Sequence, residues 1–105
     1  SRDNKFAYSV SKSALAGFVR SVAIDLASFG ISINAVLPGV IDTPMTRKNL
    51  TTSQIESVEG SSLGGKLTSI GEIYEAVSWL LSAKSSGLNG QFLTVDKGWS
   101  INRHV

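Results

Sequence analysis

The sequence predicts an α/β fold, and three observations carry that expectation. Apolar residues recur at helical spacing through Leu15, Phe18, Val22, Leu26 and Phe29. A β-branched, largely apolar run, Ile31-Ser32-Ile33-Asn34-Ala35-Val36-Leu37, follows at once. A second amphipathic stripe, Ile73, Ala76, Val77, Leu80 and Leu81, then precedes a second short apolar run. Helix, strand, loop, helix, strand is the alternation of an α/β protein.

In chain order, the first helix is expected over residues 8–29, about 33 Å long, with Gly17 and Ser21 leaving small surfaces for close approach. Gly30 should end it, being free to take a positive φ. A buried strand is expected over 31–37, stopped by Pro38-Gly39. Thr43-Pro44 reads as an N-cap followed by proline at the first helical position, where its missing N–H costs nothing. Residues 45–68 show no sustained period and are rich in Ser, Thr and Gly, so they read as a mobile insertion, with Ser53 and Glu56 as a capping box for one short helix. Ser69 and Glu72 form a second capping box, opening a helix over 71–83. Loop chemistry at 85–90 leads to a last strand over 91–96 and the Lys97-Gly98 turn. Residues 1–105 read as one domain.

Composition excludes several classes. Hydrophobic residues make up 42% and charged residues 17% of the 105, which is the balance of a folded globular chain rather than a disordered one. The net charge of +2 comes from scattered Lys and Arg, so no nucleic-acid or membrane partner follows from it. With no cysteine there is no disulfide framework and no thiolate metal site, and no metal is expected. No apolar run reaches the length of a membrane span and no signal peptide is visible, so a cytoplasmic setting is the default. The chain begins without methionine and carries a site-like motif within its first dozen residues, and reads as a piece of a longer one.

That motif is Tyr8-Ser9-Val10-Ser11-Lys12. Residues four apart on a helix share a face, so a phenol and an ammonium can meet. A nearby cation favours phenolate and prepares the tyrosine to exchange a proton with an alcohol or a carbonyl. Alone, such a pair is far more often a packed tyrosine beside a solvated lysine. The surrounding pattern changes that weighting. Tyr8-x-x-x-Lys12 and its small-residue helix are followed by Gly30-Ile31-x-Ile33-Asn34-Ala35-Val36-x-Pro38-Gly39-x-Ile41-x-Thr43 and by Gly90-Gln91-x-x-x-Val95-Asp96-x-Gly98. Together they resemble the short-chain dehydrogenase/reductase family over about residues 6–99, in order and spacing, and they resemble its C-terminal portion only.

The resemblance implies the C-terminal part of a Rossmann-like, doubly wound parallel sheet, with the Gly-rich nucleotide loop and the catalytic serine upstream of Ser1. It implies an NAD(P)-dependent oxidoreductase that interconverts a carbonyl and a secondary alcohol by hydride transfer. Tyr8 would be the general acid/base, and Lys12 would lower its pKa and bond the nicotinamide ribose. Tyr8, Lys12, Pro38, Gly39, Ile41 and Thr43 would form the cofactor-binding set for NAD or NADP. Within it, Ile41 would use its backbone on the carboxamide, Thr43 its hydroxyl on the carboxamide or the pyrophosphate, and Pro38 and Gly39 would shape the turn beside the nicotinamide. Residues 45–68 would be the substrate lid over a small carbonyl or alcohol. The family is commonly dimeric or tetrameric, so a homo-oligomer is implied. Two positions depart from the pattern: Lys97 stands where glycine is usual and Lys66 where arginine is common.

Other residues carry less. His104 lies in the tail and reads as solvated, Trp79 as core or interface, and Asp25 as a solvated helix position. Gly64-Gly65 follows no strand and fails as a phosphate loop. The rival to the enzyme is a non-catalytic fragment or assembly product of the same fold, discriminated by upstream sequence. On either reading, the 105-residue chain alone is expected to be inactive.

Overall fold

The computed structural model describes the backbone of residues 2–101, and the side chains of these other than 2–5 and Tyr8. His104 lies outside the described residues. The chain opens with α1 (Arg2–Leu26), continued by a 3-10 turn over Ala27–Phe29. Gly30 ends it at a φ of 71°, its N–H closing on the Ala27 carbonyl at 3.0 Å, a left-handed exit that a Cβ would obstruct. The helix therefore stops where the sequence predicts, while its start at Arg2 precedes Tyr8.

Strand β1 (Ala35–Pro38) pairs in parallel with β2 (Phe92–Val95), Ala35 opposite Phe92 and Pro38 opposite Val95. A parallel pair needs a crossover, and here it runs through α2 (Pro44–Asn49), α3 (Thr52–Ser61) and α4 (Ile70–Leu80). Both strands are shorter than the predicted 31–37 and 91–96. The reason lies in two asparagines: Asn89 Oδ1 accepts the Ile33 N–H at 3.0 Å, and Asn34 Oδ1 accepts the Gln91 N–H at 2.9 Å. Side-chain amides thus take backbone groups that a ladder would pair, and regular strand begins only at Ala35.

The largest correction concerns residues 45–68. They are not an irregular insertion: α2 and α3 fold most of the segment into two helices. Thr43 caps α2 as expected, its Oγ1 accepting the Thr46 N–H at 3.1 Å ahead of Pro44. The capping box of α3, however, is Thr51 with Gln54 rather than Ser53 with Glu56. Thr51 Oγ1 accepts the Gln54 N–H at 3.1 Å, and Gln54 Oε1 accepts the Thr51 N–H at 2.8 Å. The Ser69–Glu72 box of α4 is present as predicted, with both reciprocal bonds. Helix α4 ends at Leu80 rather than at residue 83 because serine hydroxyls take its last carbonyls: Ser82 Oγ donates to Trp79 O at 2.6 Å and Ser85 Oγ to Leu80 O at 3.0 Å.

The interior is small and unusually polar. Val19, Ile55 and Leu67 are its buried apolar residues, beside Ser62, Thr68, Ser85 and Asp96, and no buried side-chain N or O among the described residues lacks a partner. Trp79 is 41% exposed and so is not core. No helix among the described residues is long and apolar enough to cross a membrane.

Candidate active site

The C-terminal ends of the two strands meet in a hydrogen-bonded cluster. Past Pro38, the Gly39 N–H donates to Val95 O at 3.0 Å and prolongs the ladder by one step. Only glycine fits there, since a Cβ would stand 2.7 Å from Asp96 Cβ and 3.0 Å from Asp96 Cα. Ile41 next forms a parallel bridge with Thr68: the Thr68 N–H donates to Val40 O at 3.1 Å, and the Asp42 N–H donates to Thr68 O at 2.8 Å. In such a bridge the neighbours' peptide groups point at the partner and the bridging residue's own groups point the other way. Among the described residues, neither the N–H nor the C=O of Ile41 has a hydrogen-bond partner. It offers one donor and one acceptor beside the strand end.

Helix α1 delivers the basic residue to the same end. A Cβ on Gly90, just before β2, would meet Ala23 at 3.3 Å, and Ser9, Lys12, Ser13 and Ala16 line an open recess with Phe92. The positive charge of Lys12 acts on Asp96, just beyond β2. Falling residue numbers on α1 match rising numbers along β2, so the two run antiparallel and half-buried Lys12 reaches the carboxyl end of the sheet. Tyr8 occupies α1 one turn before Lys12. Its side chain lies outside the described residues.

Asp96 is 8% exposed, and its Oδ1 and Oδ2 accept the N–H groups of Gly98 and Ser100, both at 2.9 Å. Burial opposes its ionisation, but the bonds from Ser100 and Gly98 and the charge of Lys12 outweigh burial and hold the carboxyl below its ordinary value. Sequence reasoning passed over Asp96 as part of a motif. The signal was present, since an aspartate two residues before glycine at a strand end favours a side-chain-closed turn. Asp42 is likewise lowered, chiefly by the two bonds from Arg47 at 2.9 and 3.0 Å.

Of the predicted set, the structure brings Lys12 and Gly39 together around Asp96, with Pro38 as the last residue of β1. Ile41 continues that segment with backbone groups that have no partner among the described residues. Thr43 stands farther along, its hydroxyl engaged with the N–H and, at 3.1 Å, the Oγ1 of Thr46. No group of three or more His, Cys, Asp or Glu able to hold a metal occurs among the described residues.

Comparison with known proteins follows the same lines. The family described as enoyl-(acyl carrier protein) reductase matches residues 1–100. Cyclopentanol dehydrogenase of Comamonas testosteroni is 40% identical over 97 residues, covering 91% of this chain and 39% of that protein. The 3-oxoacyl-(acyl-carrier-protein) reductase FabG of Salmonella typhimurium is 38% identical over 91 residues, covering 87% and 37%. This chain thus spans about two fifths of the length of these relatives. Among solved structures, a short chain dehydrogenase family protein of Francisella tularensis superposes with a TM-score of 0.77 at 31% identity, over 91% of this chain and 44% of that one. A 4-hydroxyisoleucine dehydrogenase complexed with NADH gives 0.81 at 23% identity, over 92% and 40%, and shares the parallel α/β fold.

Proposed function

This chain belongs to the short-chain dehydrogenase/reductase family of oxidoreductases, and from that premise we propose that it carries the proton-transfer side of an NAD(P)-dependent interconversion of a carbonyl and a secondary alcohol. The observation that carries the reading is the placement of Lys12, with Tyr8 one helical turn before it, at the carboxyl ends of β1 and β2. That is where open α/β sheets take ligands. The names of the two relatives support the substrate class, one an alcohol and the other a 3-oxoacyl group. The NADH held by a protein of like fold supports the cofactor class, with NAD or NADP left open.

The residues present fit a nicotinamide. Ile41 has a donor and an acceptor unpaired among the described residues, which is what a primary carboxamide requires, and Gly39 keeps the strand end narrow. When bound, the dinucleotide supplies or accepts the hydride. Tyr8 would hold the proton on its Oη, giving it to the carbonyl oxygen in reduction and taking it from the hydroxyl in oxidation. Lys12 would stabilise the phenolate by its charge and hydrogen-bond the ribose. Asp96, ionised behind Lys12, would keep the ammonium at the strand end rather than in solvent. Pro38 and Gly39 would shape the floor, and Thr43 would add a contact through its remaining lone pair. The α2–α3 hairpin would cover the substrate.

In the protein that carries this chain, Tyr8→Phe should abolish turnover while cofactor affinity, read by nicotinamide fluorescence, stays within about threefold. Lys12→Ala should damage both. A Tyr8→Phe protein keeping more than about a tenth of the wild-type rate contradicts the role, because general acid/base catalysis supplies about a hundredfold or more. We further propose a homo-oligomer, supported by the exposed Phe18, Ile24 and Phe29 along the first helix and Tyr74 and Leu81 near α4. Sedimentation at micromolar concentration checks it: a monomer contradicts it.

A further inference from the structure

Lys97 holds both ends of the segment that joins α3 to α4. At one end its carbonyl accepts the Gly64 N–H at 3.0 Å and the Ser62 hydroxyl at 2.9 Å. At the other its Nζ lies 2.7 Å from Glu72 Oε2, while Glu72 Oε1 accepts the Ser69 N–H at 2.8 Å. The aliphatic stem between these ends runs over Gly64, where a Cβ would fall 3.1 Å from Lys97 Cβ and 3.2 Å from its Cδ. The next residue repeats the grip, since Gly98 leaves room for Leu63, whose side chain lies where a Cβ would come within 2.8 Å. One turn after β2 thus clasps the return of the hairpin to the sheet.

The backbone shows that this grip has a cost. Lys97 is the non-glycine residue with positive φ among those described, at 54°, a conformation that strains a residue bearing a Cβ and suits glycine. A strained lysine persists where its surroundings over-determine it. Its stem in the Gly64 groove and its ammonium on Glu72 are those surroundings. The pair pulls the Glu72 carboxyl down to about 2, first through the Lys97 bond and then through the Ser69 N–H, so it stays charged at any working pH.

We propose that the Lys97–Glu72 pair is a latch that fixes the α3–α4 connection against the sheet, and that Lys97 is thereby a positioning residue for the α2–α3 hairpin and for substrate affinity. The substrate-covering role of the hairpin rests on the function proposed above. The latch itself does not. Segment 62–68 also bridges to Ile41 through Thr68, so its position reaches the free backbone groups at the strand end.

The test uses Lys97→Gly, Lys97→Met and Glu72→Gln, with Lys97→Arg as the conservative rescue. Gln at 72 keeps the amide oxygen for Ser69 and loses the charge. Gly at 97 removes the backbone strain together with the latch, so the melting temperature should hold or rise while local order falls. Hydrogen exchange of the amides of Gly64, Gly65 and Thr68 should quicken about threefold in each of the first three variants, as the loss of a partly exposed pair allows, and recover in Lys97→Arg. Added salt should quicken the wild type and leave Lys97→Met unchanged. Substrate KM should rise about threefold with kcat within twofold. Unchanged exchange in Lys97→Met and Glu72→Gln overturns the latch, and quicker exchange with unchanged KM and lowered kcat overturns the positioning role. Turnover is read in the longer protein that carries this chain, with a secondary alcohol and NAD or NADP; its absence there sinks the oxidoreductase reading, and exchange alone then decides the latch.

Discussion

The strand-end cluster and the outer face of α1 are built on opposite principles. In the cluster, Thr68 is 2% exposed and Asp96 8%, and closure is achieved by short polar bonds among Gly39, Val40, Asp42, Thr68, Asp96 and Gly98. On α1, Ile24 is 76% exposed and Phe18 60%, while Val19 is buried. In the first region every buried side-chain N or O among the described residues has a partner, and the backbone of Ile41 is left to face outward. The second leaves large apolar side chains exposed to solvent. The difference teaches where to look for chemistry in this chain. Hydrogen-bond closure, rather than apolar burial, marks the place that must hold its geometry.

The largest effect should come from forcing the cluster open. Gly39→Ala puts a methyl 2.7 Å from Asp96 Cβ and 3.0 Å from its backbone, so the strands must part. Thermal denaturation should show a loss of about 3 kcal/mol, the upper range for overpacking. Next, Asp96→Asn leaves one acceptor where Gly98 and Ser100 present two donors, one of them then facing an amide NH2. That should cost about 1 to 2 kcal/mol. The same variant tests the acid limb. The Asp96 pKa is lowered in the folded protein, so its contribution is full above the unfolded value and is lost as pH falls through the folded one. Denaturant unfolding below pH 4 should therefore be less pH-dependent in Asp96→Asn, with the Glu72 contribution persisting until about 2. The smallest effect belongs to α1: Phe18→Ser and Ile24→Ser should change unfolding of the monomer by no more than about 0.5 kcal/mol. A loss comparable to that of Gly39→Ala would erase the contrast.

Local chemistry was the legible part of the sequence. Gly30, Thr43-Pro44 and the Ser69–Glu72 box each act within four residues, and each stands where the pattern places it. The hairpin was not legible by period, because of its apolar residues only Ile55 is buried within its helices. The pattern offers two overlapping capping boxes there, Thr51–Gln54 and Ser53–Glu56. A signal that separates them is the hydrophobic staple, since Leu50 and Ile55 flank the first box at the required spacing and line one recess. Strand starts were misplaced because Asn34 and Asn89 act across more than fifty residues, a distance no local pattern spans. At Lys97 the departure from glycine came with the family resemblance, whereas its partner Glu72 and its φ of 54° were not legible. At the site, the four-residue spacing of Tyr8 and Lys12 was legible and Gly39 came with the family resemblance, whereas the position of Asp96 beside Gly39 and within the field of Lys12 depends on packing across the sheet.

The most direct measurement is the pH dependence of kcat/KM for alcohol oxidation by wild type and Lys12→Met. If the Lys12 charge favours the Tyr8 phenolate, the rising limb of the profile should move to higher pH by about one unit or more when that charge is removed. A limb that stays in place while only its height falls would contradict the account, leaving Lys12 as a ribose contact with no part in the proton transfer.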